Sequence, residues 1–183
     1  MKKKIFNITA TALSAAFLFA VNAFAADDLS AQAQQTIADF QTADPSLTSF
    51  MNNSAGYAVF PRVSKGGLVV GGARGTGVLF QNGAIVGRTR LTQGSIGAQA
   101  GGQTFSQIIC FENPTALNNF KSGNFSLGAD VNAIAITASV SKSLPLTYTR
   151  GVAVFTRPIS GLMVQATVGG QRFSFEPLVP TGR

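Results

Sequence analysis

The stretch from Leu68 to Phe80 limits the possible folds more than any other part of the chain, because one of its two alternating faces carries almost no side chains. One alternating set is Leu68, Val70, Gly72, Arg74, Thr76, Val78 and Phe80, and the other is Val69, Gly71, Ala73, Gly75, Gly77 and Leu79. A strand with a face reduced to Gly and Ala either bends sharply or admits a second backbone at close range. Gly71, Gly72, Gly75 and Gly77 are therefore assigned to architecture. Upstream, Tyr57 to Val63 is rich in β-branched and aromatic residues but broken by Pro61, which marks an edge strand or a strand ending at a bend. Asn82-Gly83 supplies the positive φ of a tight hairpin turn.

The same alternation recurs downstream. Ile85 to Leu91, Ser95 to Ala100, Thr104 to Phe111, Val131 to Val140, Tyr148 to Thr156, Leu162 to Val168 and Phe173 to Phe175 all read as strands. Gly101-Gly102-Gln103-Thr104-Phe105-Ser106 and Gly169-Gly170-Gln171-Arg172-Phe173-Ser174 share Gly-Gly-Gln-x-Phe-Ser, and each reads as a hairpin turn. Helical signals are fewer. Leu29, Ala33, Ile37 and Phe40 form one narrow apolar stripe, with Asp27 or Asp28 as its cap. Asp44-Pro45 starts a second short helix carrying Leu47, Phe50 and Met51 inward, and Asn113-Pro114 starts a third with Ala116, Leu117 and Phe120, stopped by Gly123. About eight short strands and three helices give an α+β fold. It is antiparallel and β-rich, with a sheet curled into a barrel-like or two-layer form, helices at the N-terminal end and one short helix inserted. An outer-membrane barrel is disfavoured by helices between strands and by the lack of aromatic girdles, since the chain has no Trp and two Tyr.

Met1-Lys2-Lys3-Lys4, an apolar run from Ile5 to Val21 and Ala23-Phe24-Ala25 have the three parts of a secretory signal peptide, with cleavage expected before Ala26. The expected division is a signal at 1–25, a helical lead-in at 26–54 and a β-rich body at 55–183, with 26–183 forming one globular domain. The expected location is periplasmic or secreted, with peripheral attachment to a membrane. Charge separates along this division. Asp27, Asp28, Asp39 and Asp44 precede Pro45, while residues 45–183 hold 11 basic residues and only Glu112, Asp130 and Glu176.

Catalytic equipment is sparse. The chain has no His, which removes the commonest general base and transition-metal ligand. The acidic residues form no pair by spacing. Ser139-Val140-Ser141-Lys142 matches Ser-x-x-Lys without its companion motifs, and the glycines at 71–77 lack both the dinucleotide and the P-loop spacing. The single Cys110 sits between apolar neighbours and reads as a buried structural thiol. The sequence thus predicts no enzyme, no cofactor and no metal site.

What remains is positive charge. Arg62, Lys65, Arg74, Arg88 and Arg90 fall within 29 residues free of acidic side chains, and neighbouring strands would collect them at one end of a sheet. At about 1 kcal/mol each near an anionic membrane, five such residues support weak, salt-sensitive adhesion. Tighter attachment would need an apolar residue at a loop tip, for which Phe60, Leu79 and Phe80 are candidates. Basic residues also serve to block edge pairing, which is the competing reading. Nucleic acid is a poor partner, because the aromatics lack base-stacking spacing.

The motifs Ala55-Gly56, Val59-Phe60-Pro61, Lys65-Gly66-Gly67, Val70-Gly71-Gly72, Gly75-x-Gly77-Val78-Leu79 and Gly83 resemble the SYLF domain family. Gly97-Ala98-Gln99-Ala100-Gly101, Ile108-Ile109, Ala116-Leu117-x-x-Phe120 and Gly128-x-Asp130-x-x-x-Ala133 extend the resemblance to about Phe175. Its eukaryotic members include lipid-binding and actin-binding proteins. The resemblance implies a peripheral protein of the cell envelope that binds acidic phospholipid headgroups or other acidic envelope polymers. The alternative is a periplasmic interaction module that joins a protein partner through its sheet edge. In the family an amphipathic segment at the N-terminal end is linked to membranes, but here its polar face carries Asp, which assigns the helix to packing.

Overall fold

The computed structural model describes residues 28–68, 70–123, 125–128, 136–137 and 146–178. The predicted signal segment, Asp130 and Ser139 to Lys142 lie outside them. Among the described residues three helices, α1 (residues 28–43), α2 (Ser46–Asn52) and α3 (Pro114–Lys121), accompany six strands. The strands are β1 (Gly56–Gly67), β2 (Val70–Gln81), β3 (Ala84–Phe111), β4 (Ser126–Leu127), β5 (Ile136–Thr137) and β6 (Val152–Pro177). All but β5, which runs parallel to β6, pair antiparallel.

Two strands are far longer than the sequence suggests. β3 spans 28 residues and β6 spans 26, and the whole of β6 pairs with residues 87–111 of β3, from Gly87↔Pro177 to Phe111↔Val152. The segments predicted as separate strands on either side of Gly101-Gly102 and Gly169-Gly170 are therefore continuous, and neither glycine pair turns the chain. The glycines bend it instead. Residues 84–96 of β3 pair with β2, whereas residues 101–111 pair with β1. The β1–β2 hairpin fills the angle between the two halves, and the result is a curled half-barrel. Gly101 sits in this bend at φ 108°, a value that a residue with a Cβ rarely adopts.

Packing covers both sides of the sheet. On one side α3 lays Leu117 and Phe120 against Phe60, Leu79, Leu91, Ile109, Phe111 and Phe173. Phe120 has ring centroids of Phe111, Phe125 and Phe173 within 4.8, 5.6 and 5.5 Å. On the other side α1 and α2 place Ala33, Phe40, Leu47 and Met51 over Val59, Val78, Phe80, Ile108 and Phe155. The α1 stripe is thus buried against its own sheet, as the sequence predicts, and Arg157 of β6 pairs with Asp39 at 3.4 Å. The α3 cap follows the sequence, whereas α2 has Pro45 itself at its N-cap with no side-chain cap bond and Asp44 just before it. Asn113 accepts from the Ala116 N–H with Pro114 in the first turn, and Asp44 accepts from the Ser46 N–H at 3.0 Å.

The bare glycine face of β2 lies toward α3, where space is scarce. A Cβ on Gly77 would fall on the Val59 carbonyl oxygen and lie 2.8 Å from the Phe60 ring, and one on Gly75 would lie 2.8 Å from Val63 Cγ2. Gly72 is on the opposite face and less tight, with the Gln93 carbonyl 3.1 Å away.

Candidate anion-binding face

Directly paired residues in an antiparallel sheet point to the same side, so the register places the basic residues. Arg62 pairs with Thr76, Thr76 with Arg90 and Arg90 with Ser174. One row further, Ser64 pairs with Arg74, Arg74 with Thr92, Thr92 with Arg172 and Arg172 with Ser126. Val78 pairs with Arg88, and Arg88 with Glu176. These rows are two residues apart along each strand and share a face. Val78 belongs to the cluster under α1 and α2, so the arginines occupy the part of that same face beyond the helices.

The structure therefore brings together Arg62, Arg74, Arg88 and Arg90, and it adds Arg172. Lys65 is not with them. It pairs with Ala73, which pairs with Gln93 and Gln171, and this row faces the α3 side. The parity was visible in the sequence, since Arg62 and Lys65 are an odd number of residues apart. Lys65 is half-buried, and burial pushes its ammonium below the usual lysine range. Its neighbours on that side include a buried amide chain, in which Gln107 Nε2 donates to Gln171 Oε1 at 3.0 Å. Arg172 was missed because 82 residues of chain separate it from Arg90, and only the β3–β6 register unites them.

Exposure and charge suit an anion. Arg62, Arg74, Arg90 and Arg172 are exposed, as are Ser64, Thr92 and Ser126 between and beside them. Among the described residues the one carboxylate paired to this group is Glu176, 3.4 Å from Arg90, with both side chains more than half exposed. Such an exposed pair is weakly held. Arg62, Arg74 and Arg172 have no ion pair among the described residues. Two contiguous hollows mark the face, one of about 450 Å³ against Arg62 and Arg90 and one of about 940 Å³ against Arg74 and Arg172. They share Ser64, Arg74 and Thr92.

The fold that carries this face has a match among known families. A family model described as Ysc84, Las17-binding protein actin regulator, matches residues 92–176. Residues 92–176 are thus similar to the SYLF domain family. The match begins at Thr92 within β3 and takes in Arg172, while Arg88 and Arg90 precede it on the same strand and Arg62 and Arg74 stand on β1 and β2. No curated protein matches the chain. The description of the family model is of a binding protein, not of a catalyst.

The candidate apolar tip residues of the sequence reading are elsewhere. Phe60 and Leu79 are fully buried and Phe80 nearly so. The tip of the β1–β2 hairpin instead carries Leu68 and Val70, exposed to 70% and 69%. Val70 continues the alternation Val70, Gly72, Arg74, so it borders the arginines. No helix among the described residues is long and apolar enough to cross a membrane. Nor do the described residues contain a cluster of three His, Cys, Asp or Glu side chains that could hold a metal. Cys110 is fully buried between β1 and β6, and burial raises its thiol far above the range in which a thiolate forms.

Proposed function

We propose that this SYLF-like domain is a non-enzymatic, peripheral lipid-binding protein of a bacterial cell envelope, reached by export through the signal at 1–25. Its ligand is the acidic headgroup layer of a membrane, met by Arg62, Arg74, Arg88, Arg90 and Arg172. The observation that carries this reading is the register that gathers five arginines from four strands on one face, with Glu176 the one acidic residue beside them among the described residues. At about 1 kcal/mol per basic residue, the face supplies about 4 kcal/mol after Glu176 is set against it. That is reversible adhesion. Leu68 and Val70 add about 2 kcal/mol each if the hairpin tip enters the acyl boundary, which brings the total to a useful affinity without any enclosed apolar site.

Co-sedimentation of the protein with vesicles tests the proposal. Binding should rise with the mole fraction of phosphatidylglycerol or cardiolipin and fall as NaCl is raised from 50 to about 300 mM, over which the Debye length shrinks by more than half. Binding indifferent to both variables removes the reading. Leu68→Ser with Val70→Ser should weaken attachment at every salt concentration without changing its salt dependence.

A protein partner is the second reading, favoured by the words of the family model, which name a protein-binding activity. It predicts a complex that survives high salt and does not need lipid.

A further inference from the structure

The row Ser64, Arg74, Thr92, Arg172, Ser126 crosses five strand segments, and each of its five side chains is a hydrogen-bond donor. All five are exposed on the face beyond the helices. The cavity of about 940 Å³ lies against this row, and none of its described lining residues is acidic. Its depth comes from the next row, where Gly72 pairs with Gly94 and Gly94 with Gly170. A Cβ on Gly94 would meet nothing within 4 Å, so the cavity opens directly above it. Arg74 and Arg172 are two strand spacings apart, roughly 10 Å, with the Thr92 hydroxyl between them. Two guanidinium groups at that separation can close on one phosphate from opposite sides, each by a two-pronged contact.

We propose that this row and its cavity form a site for the headgroup of a single anionic phospholipid, with the phosphodiester held by Arg74, Thr92 and Arg172 and the polar headgroup lying over Gly94. This deepens the reading of the face as lipid-binding and rests on it. It differs from general adhesion in one measurable way. A charged surface attracts a charged membrane, but it has no saturable affinity for one lipid molecule carrying one charge.

The test is titration of the full chain with dihexanoyl-phosphatidylglycerol below its micelle concentration, followed by calorimetry or amide chemical shifts. The expected result is saturable one-to-one binding, about tenfold or more tighter than that of dihexanoyl-phosphatidylcholine or inorganic phosphate. Gly94→Phe fills the cavity and should weaken monomer binding by about tenfold or more, while leaving low-salt adhesion to anionic vesicles largely intact. Thr92→Val, which keeps the side-chain shape, should weaken it in the same direction and provides a second variant if Gly94→Phe misfolds by thermal melt. Absence of saturable monomer binding overturns the site, as does unchanged binding in both variants. Inorganic phosphate binding as tightly as the lipid overturns the lipid assignment. If the wild-type protein also ignores anionic vesicles at low salt, the parent reading fails with it, whereas vesicle binding without monomer binding sinks the headgroup site alone.

Discussion

The face of the sheet that carries α1 and α2 has two halves built on the same strands and the same alternation, and they differ in what covers them. Under the helices the outward residues are Val59, Val78, Phe80, Ile108 and Phe155. Two residues further along β2 the outward positions become Thr76 and Arg74, and along β3 they become Arg90 and Thr92. α1 is 16 residues long, about 24 Å, and past the covered apolar residues the face turns to Arg and Thr, with Val70 exposed at the hairpin tip. The lesson is that period-2 patterning identifies a face but not its burial. A strand can run from core to binding surface without leaving its register, and the change from Val and Phe to Arg and Thr marks the boundary.

This contrast can be broken by substitution. The largest effect is expected at Phe40 of α1, which is fully buried over the covered half. Phe40→Ala should cost about 3–5 kcal/mol in denaturant unfolding, whereas Arg74→Ala on the bare half should stay within about 0.5 kcal/mol. Equal costs at the two positions would mean that the halves are not distinct. Next comes a pair of glycines on opposite faces. Gly77→Val drives a side chain into the Val59 backbone and the Phe60 ring, and should cost about 2–3 kcal/mol or prevent folding. Gly94→Val enters open space and should cost less than about 1 kcal/mol. The expected order is Gly77, then Gly75, then Gly94, and a reversed order in thermal melts would contradict the assigned faces.

A smaller effect is expected where helix and sheet are tied at the border. The Arg157–Asp39 pair is nearly half exposed on both sides, so Arg157→Ala should lower stability by no more than about 1 kcal/mol, and less in high salt. The smallest effect at neutral pH, and the most diagnostic at alkaline pH, concerns Tyr148, which stacks on Phe50 of α2 at 4.6 Å. Burial, with smaller contributions from Cys110 and Glu112, pushes its hydroxyl up to about 12 from 10.0. The folded state thus holds the phenolic proton more tightly than the unfolded state, so its contribution is complete below pH 10 and is lost as pH rises through about 12. Tyr148 Oη has no hydrogen-bond partner among the described residues. Tyr148→Phe should therefore be near neutral at pH 7 and should flatten the loss of stability between pH 10 and 12. A variant as alkali-sensitive as the wild type would assign that loss to another group.

Much of the fold was legible because local chemistry and tertiary structure agree. The α1 stripe, the Asn113-Pro114 start of α3, the Asn82-Gly83 turn and the close approach at Gly75 and Gly77 all follow from residue type and spacing. The long strands were not legible, because Gly101-Gly102 has the propensity of a turn and only pairing with β1 and β6 holds it in a bent strand. At the site, alternation alone groups Arg74, Arg88 and Arg90 and separates Lys65 from Arg62. Arg172, Thr92 and the two serines needed the register of distant strands. The repeat did hold a signal, since the x of Gly-Gly-Gln-x-Phe-Ser is Thr104 in one copy and Arg172 in the other.

The most direct test of the arginine face is co-sedimentation of Arg74→Glu/Arg172→Glu with phosphatidylglycerol vesicles at low salt, beside a thermal melt of the same protein. Each reversal removes one attraction and adds one repulsion of about 1 kcal/mol, so the account predicts an unchanged melt and a loss of affinity of roughly a hundredfold to a thousandfold. A folded double variant that binds as tightly as the wild type would contradict it.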